Sequence, residues 1–285
     1  MDCCNIFFEK IIVPLERLNL LYKASSLSYI RFGAGPKPVF CFHGYGEDAN
    51  SFRFLEDQAG EDYSFFAIDL PFHGQTDWKQ GYNCTTGDLV NLIEEILNHH
   101  QLAHSKFSLL GFSLGGRVAL AIYEQSPAQT DRLVLLAPDG LKVNFWYWLS
   151  TQTWIGNKLF AFTMKHPGWF FGFLKLLNKL KLVNASIFKF VNYYIGDKVV
   201  RQLLYARWTS LRKIKPHLSH IKSLVKSNAT MVKLIYGVHD RIILSSVGEK
   251  FRKGIEEHCT IKSIKAGHQV LQEKYASEII NALSS

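Results

Sequence analysis

The five residues Gly111-Phe112-Ser113-Leu114-Gly115 restrict the architecture of this chain more than any other feature. They follow an apolar strand pattern, FSLL at 107–110, and lead into a helical one, VALAIYEQ at 118–125. A serine with glycine two positions away on either side fits a strand–turn–helix corner. That turn is so tight that the serine takes strained angles and larger flanking side chains would clash. A helix starting at Leu114 would aim its free N–H groups and the positive end of its dipole at whatever lies above Ser113. With Gly and Ser each about 7% of residues, a chain of this length offers roughly 0.1 accidental matches to the pattern. The strand before it and the helix after it make chance a poorer explanation still.

The corner sits in a longer alternation of strand and helix signals. LSYIRF (27–32) and PVFCF (38–42) read as strands joined by a GAGPKP turn, and SFFAIDL (64–70) as a third. TTGDLVNLIEEILNHH (85–100) has helical spacing through Leu89, Leu92, Ile93, Ile96 and Leu97, with Thr86 read as the N-cap. RLVLLA (132–137) is a strand, after which the pattern changes character. It resumes with strand TMVKLIYG (230–237), a helix around 246–257, strand TIKSIKA (260–266) and a terminal helix YASEIINAL. Near-continuous apolar strands alternating with helices predict an α/β fold with a mostly parallel central sheet covered on both faces. For 285 residues, one such body with an insertion fits better than two equal domains.

In such sheets the functional groups collect where strands end. Strand 38–42 ends in His43-Gly44-Tyr45-Gly46. There the backbone N–H of Tyr45, together with that of Leu114, is expected to face a developing oxyanion; His43 is read as stabilising the turn. Strand 230–237 runs into Gly237-Val238-His239-Asp240-Arg241, and strand 260–266 into Gly267-His268. The chain order Ser, Asp, His makes Ser113 the candidate nucleophile, Asp240 the acid and His268 the base. Asp139, at the end of strand 132–137, competes as the acid. Asp69 and His73 read as residues that shape their own loop, and His239 stays outside the set. His99, His100 and His104 fall at a helix end, where a cation would suit the dipole.

HGYG at 43–46, DLPFHG at 69–74, GFSLGG at 111–116, GVHDRII at 237–243 and AGHQVL at 266–271 together resemble the α/β-hydrolase fold superfamily. The subgroup they resemble contains small esterases, lipases, proline iminopeptidases, meta-cleavage-product hydrolases and non-haem haloperoxidases. The likeness covers about residues 27–138 and 230–285. It is specific for fold and triad and unspecific for substrate. It implies an enzyme in which Ser113 attacks an ester or thioester carbonyl of an apolar acyl substrate, with water assisted by His268 releasing the acid. Two alternatives stay open: C–C bond hydrolysis of the meta-cleavage-product type, and a non-catalytic ligand-binding protein on the same fold. Epoxide hydrolases and haloalkane dehalogenases resemble the same core but carry Asp as nucleophile, and Ser113 argues against both.

Members of that superfamily commonly insert a cap at the position held here by residues 139–229, between body segments 1–138 and 230–285. Between 141 and 215 stand thirteen Lys or Arg against one acid, Asp197. The segment is therefore +12 in a chain of +9, so the remainder carries −3. The same segment holds seventeen aromatic residues. Around 170–180, Phe173, Leu176, Leu177 and Leu180 share a helix face opposite Lys175, Asn178 and Lys179. That face is expected to pack on the body. A sharper reading adds an apolar acyl pocket beneath the cap and a basic, Trp-rich rim resting on an anionic membrane. No nucleic-acid partner is expected, because the charge follows no nucleic-acid-binding motif.

Five scattered cysteines without framework spacing point to a reducing compartment. The start MDCCNIFFEK lacks a basic n-region, and no uncharged apolar run reaches membrane-spanning length. A cytoplasmic location is expected. Without a CxxC pair or HExxH, neither metal nor other cofactor is expected.

Overall fold

The computed structural model describes residues 15–59, 61–180 and 193–284. Eight strands form one sheet: β1 (Glu16–Tyr22), β2 (Ser25–Phe32), β3 (Lys37–Phe42), β4 (Tyr63–Ile68), β5 (Phe107–Phe112), β6 (Thr130–Leu136), β7 (Met231–Gly237) and β8 (Cys259–Ile264). Their order across the sheet is β1-β2-β4-β3-β5-β6-β7-β8. β1, β2 and β4 pair antiparallel, and every pairing from β4 onward is parallel. The expected α/β class and mostly parallel sheet are therefore present. β4 and β5 are buried along their whole length. Burial on both faces explains why their sequences read as continuous apolar runs instead of alternating ones.

Several details differ from the sequence reading. β1 carried no strand signal, because ERLNLLY at the open edge is mostly exposed or half-buried. β2 and β3, consecutive in sequence, are not neighbours; β4 pairs between them. Helix α1 (Glu56–Ala59) is a single turn, and α2 spans Thr86–His99. The N-cap of α2 is Thr85, not Thr86. Its hydroxyl accepts the Asp88 N–H at 3.1 Å, and the Asp88 carboxylate accepts the Thr85 N–H at 2.9 Å. The acid of that capping box stands three residues after Thr85, which selects it over its neighbour. α3 (Leu114–Gln125) starts immediately after Ser113, at the Leu114 start expected from the tight corner. The helix expected around 246–257 is α9, Ser245–Arg252, and the chain turns at Gly254 with φ +85°. α10 (Ala276–Ser284) closes the chain.

Between β6 and β7 lie α4 (Phe145–Gln152), α5 (Trp154–Lys165), α6 (Gly168–Lys179), α7 (Lys198–Ser210) and α8 (Leu218–Asn228). The last of these packs on α3, and its Ile221 and Val225 belong to the core of the body. α4–α7 form a separate layer with a small cluster of their own around Met164, Ile195 and Leu204. The face expected to pack on the body does not do so. Phe173, Leu176 and Leu180 are exposed, Leu177 is half-buried, and only Leu174 of α6 is buried. The inner side of the layer is already filled by that cluster, so the second apolar stripe of α6 is left in solvent. Among the described residues, no helix is long and apolar enough to cross a membrane.

Candidate active site

Ser113 sits at the junction of β5 and α3 with φ 50° and ψ −113°, a conformation that costs a non-glycine residue about 1–3 kcal/mol. Its neighbours hold it there. The Ser113 N–H donates to Leu136 O at 2.9 Å, and its carbonyl accepts from Gly116 N at 2.9 Å and Asp139 N at 2.8 Å. A Cβ on Gly111 would run into the Gly115 carbonyl, and one on Gly115 into the carbonyl of Phe42 on β3. The two glycines are thus required by backbone-to-backbone approach.

The other two strand-end loops converge on this serine. The β7 and β8 loops are tied by Val238 N to Ile264 O and His239 N to Ala266 O, both at 2.9 Å. Gly237 allows their close approach, since a Cβ there would meet the Gly267 and Ala266 carbonyls. The result is one continuous chain of hydrogen bonds. His268 Nδ1 lies 2.9 Å from Asp240 Oδ2, and His268 Nε2 lies 3.1 Å from Ser113 Oγ. The other Asp240 oxygen accepts the N–H groups of Ile242 and Ile243 at 2.7 and 3.0 Å. That carboxylate is buried, and each of its oxygens takes part in at least one hydrogen bond. The Phe112 ring packs on the imidazole, with centroids 5.4 Å apart. With Nδ1–H donated to Asp240, Nε2 is left as an acceptor for the serine proton, the tautomer a general base requires.

Asp139, the competing acid, takes no part in this chain. Its carboxylate accepts Gly140 N at 2.7 Å and faces the Arg117 guanidinium at 3.6 Å. His239 is exposed. His43 is fully buried and spans the turn, its Nδ1 2.8 Å from Gly44 O and its Nε2 accepting Leu70 N at 3.1 Å. Burial lowers its pKa, so it stays a neutral brace. His73 is held the same way, 3.0 Å from Pro71 O, with burial pulling its pKa to about 2. Asp69 receives Ala49 N, Gln75 N and Arg17, which makes it the organiser of its loop. The helix-end reading of His100 needs correction. Burial lowers its pKa to about 4, and it contacts the Tyr29 hydroxyl at 3.0 Å, so it is neutral rather than a cation completing the dipole.

Above Ser113 lies a cavity of about 310 Å³. Tyr45, Leu114 and Ile242 line it from the body, and Tyr194, Leu204 and Trp208 from the layer above. Both residues nominated for their backbone N–H groups, Tyr45 and Leu114, therefore border the space in front of Ser113. Two arginines also reach it, and the sequence did not single out either one. Arg117 is buried on α3 with its guanidinium 4.4 Å over the Tyr147 ring. Arg207 of α7 donates Nε–H to Phe72 O at 2.9 Å and covers the Tyr45 ring at 5.7 Å. The one sequence signal for Arg207 is its place between the aromatic residues Tyr205 and Trp208. Burial raises the Tyr45 hydroxyl to about 12.

Comparison with known proteins identifies the family. The family model described as serine aminopeptidase, S33, matches residues 36–275. The chain belongs to this hydrolase family. It is an enzyme of the α/β-hydrolase type. An uncharacterized hydrolase of Bacillus subtilis, YugF, is 24% identical over 251 residues, covering 84% of this chain and 86% of that protein. Other relatives match only locally. The dihydrolipoyllysine-residue acetyltransferase component of the acetoin cleaving system of Pseudomonas putida is 33% identical over 112 residues, 38% of this chain and 29% of that protein. Among solved structures, a thermophilic esterase from Thermogutta terrifontis aligns with TM-score 0.67 at 18% identity, over 94% of this chain and 98% of that one. The thioesterase domain from the curacin biosynthetic pathway aligns with TM-score 0.62 at 15% identity, over 95% and 99%. At these identities the two structures bear on the fold of this hydrolase alone.

Proposed function

We propose that this hydrolase cleaves an ester or thioester of an apolar acyl substrate through an acyl-enzyme on Ser113. The observation that carries the reading is the unbroken chain from Asp240 through His268 to Ser113 Oγ, at 2.9 and 3.1 Å, on the floor of the cavity. His268 Nε2 takes the hydroxyl proton as Oγ bonds to the substrate carbonyl carbon, and Asp240 stabilises the imidazolium that results. The carbonyl oxygen becomes an oxyanion, to which the N–H groups of Tyr45 and Leu114 donate. His268 returns the proton to the leaving alkoxide or thiolate as the acyl bond breaks. Water, deprotonated by His268, then attacks the acyl-enzyme; as the acyl–Oγ bond breaks, His268 returns that proton to Ser113 Oγ and the acid leaves.

Leu114, Leu204, Trp208 and Ile242 around the cavity favour an apolar acyl chain, with α4–α7 acting as its cap. The three described cysteines, Cys41, Cys84 and Cys259, are free and buried, which favours a reducing, cytoplasmic setting. The test is turnover across p-nitrophenyl esters of increasing chain length, acyl thioesters and vinylogous diketones. The reading expects ester or thioester turnover with a preference for longer acyl chains. Turnover of the diketones alone would replace it with C–C bond hydrolysis.

A further inference from the structure

The helices above the active site present apolar stripes to solvent that the fold does not use. On α5, Ile155, Leu159 and Phe162 recur at four- and three-residue spacing and are all exposed. On α6, Trp169, Phe173 and Leu176 repeat the pattern, and Leu180 continues it one turn beyond. On α4, Trp146 is 71% exposed, and at the start of α5 Trp154 is 70% exposed. Of the twenty large hydrophobic residues exposed among the described residues, fifteen lie between 143 and 199. Isolated exposed apolar side chains are ordinary on soluble proteins, whereas a concentration of this kind marks an interaction surface. The inner sides of α5 and α6 pack on the Met164, Ile195 and Leu204 cluster, so their outer stripes are not a displaced core.

Charge identifies the partner. The segment from 141 to 215 carries thirteen cations and one acid, Asp197, and that acid is engaged in capping α7 through Val199 and Val200 N–H. Lysines stand beside the stripes: Lys158 and Lys165 on α5, Lys175 and Lys179 on α6. The Lys158 ammonium lies 3.8 Å over the Trp154 ring. Amphipathic helices with Trp, Phe and Leu on one side and Lys on the other sit in the headgroup region of a bilayer. A protein partner would need its own acidic and apolar groups in matching register, and nucleic acid would leave the aliphatic stripes wet. An anionic lipid surface satisfies both components without register.

We infer that α4–α6 form a docking face by which this hydrolase binds peripherally to anionic membrane, with the stripes in the headgroup region and the lysines on the lipid phosphates. The inference concerns binding alone and does not depend on the hydrolytic reading. Each Lys or Arg brought to an anionic surface strengthens partitioning roughly five-fold. The attraction weakens as the Debye length falls from about 10 Å at 0.1 M salt to about 3 Å at 1 M.

The experiment is co-sedimentation of the full chain with phosphatidylcholine vesicles, with and without phosphatidylglycerol, at low and high salt. Tryptophan emission is followed in the same samples. Binding at least ~10-fold stronger to the phosphatidylglycerol vesicles, reduced by salt and accompanied by a blue shift, is expected. The Phe173→Glu/Leu176→Glu variant should lose that binding while keeping its thermal midpoint and its turnover of a short soluble ester. If that variant misfolds, Lys175→Glu/Lys179→Glu in an intact fold is the substitute, with the same loss expected. Equal binding to both vesicles, or none to either, overturns the inference. So does a concentration-dependent dimer or an oligonucleotide complex that buries the same tryptophans without affinity for lipid.

Discussion

The body of this hydrolase and the helical layer α4–α7, its proposed cap, use apolar residues in opposite ways. In the body, large rings such as Phe40, Phe65 and Phe66 are fully buried; Phe40 stacks on Phe66 across β3 and β4, and Phe65 on Phe32 of β2. The chain outside residues 141–215 carries a net −3. In the cap, rings of the same size stand in solvent among a net charge of +12. The body's rings are accounted for by folding. Those on the cap's outer side are not, so the cap has to be explained by what it meets, and the body by what it holds in place.

The largest expected effect lies at the body's strand ends. Ser113→Ala should lower turnover of a verified ester on the order of 10⁵-fold or more, and adding His268→Ala should lower it little further, because the two act as a unit. Additive losses, or substantial activity left in Ser113→Ala, would break the assignment. Next, Asp240→Asn should cost about 10⁴-fold by leaving the wrong His268 tautomer, while Asp139→Asn changes turnover only slightly. The reverse outcome would move the acid to the β6 loop.

How much of this was legible in sequence divides along the same line. Ser113, Asp240 and His268 were readable because each follows a strand recognisable by its own apolar run, and topology brings strand ends together. β1 was not, since an edge strand open to water has no apolar pattern to display. Arg117 and Arg207 were missed because they reach the cavity through contacts between segments distant in sequence, Arg207 with Phe72 for example. The face of α6 was read correctly as a stripe and wrongly as buried. Periodicity reveals that a helix has an apolar side but not what covers it.

Stability measurements should separate the two regions further. Phe65→Ala, fully buried on β4, should cost about 3–5 kcal/mol in urea unfolding. Trp154→Ala, on the outer side of the cap, should stay within about 0.5 kcal/mol. Similar losses at the two sites would mean that the cap's rings are part of the core after all.

A smaller effect concerns pH. Burial holds His73 neutral down to about 2, whereas in the unfolded chain it takes up a proton near pH 6.5. The unfolded state therefore binds more protons below pH 6.5, and stability falls as pH drops from about 6.5 to 5. Each such histidine contributes at most about 1.4 kcal/mol per pH unit. Buried His43 acts in the same direction. His73→Gln should make the decline shallower by about one proton in urea titrations at pH 7, 6 and 5. An unchanged slope would show that His73 is not held neutral.

The central claim, that Ser113 activated by His268 is the reactive group of the body, is tested most directly by covalent labelling. The protein is treated with a fluorophosphonate and the adduct located by peptide mass spectrometry. The account predicts one adduct, on Ser113, absent from Ser113→Ala and slowed by on the order of 10³-fold or more in His268→Ala. Labelling that persists in Ser113→Ala, or proceeds at an unchanged rate in His268→Ala, would contradict it.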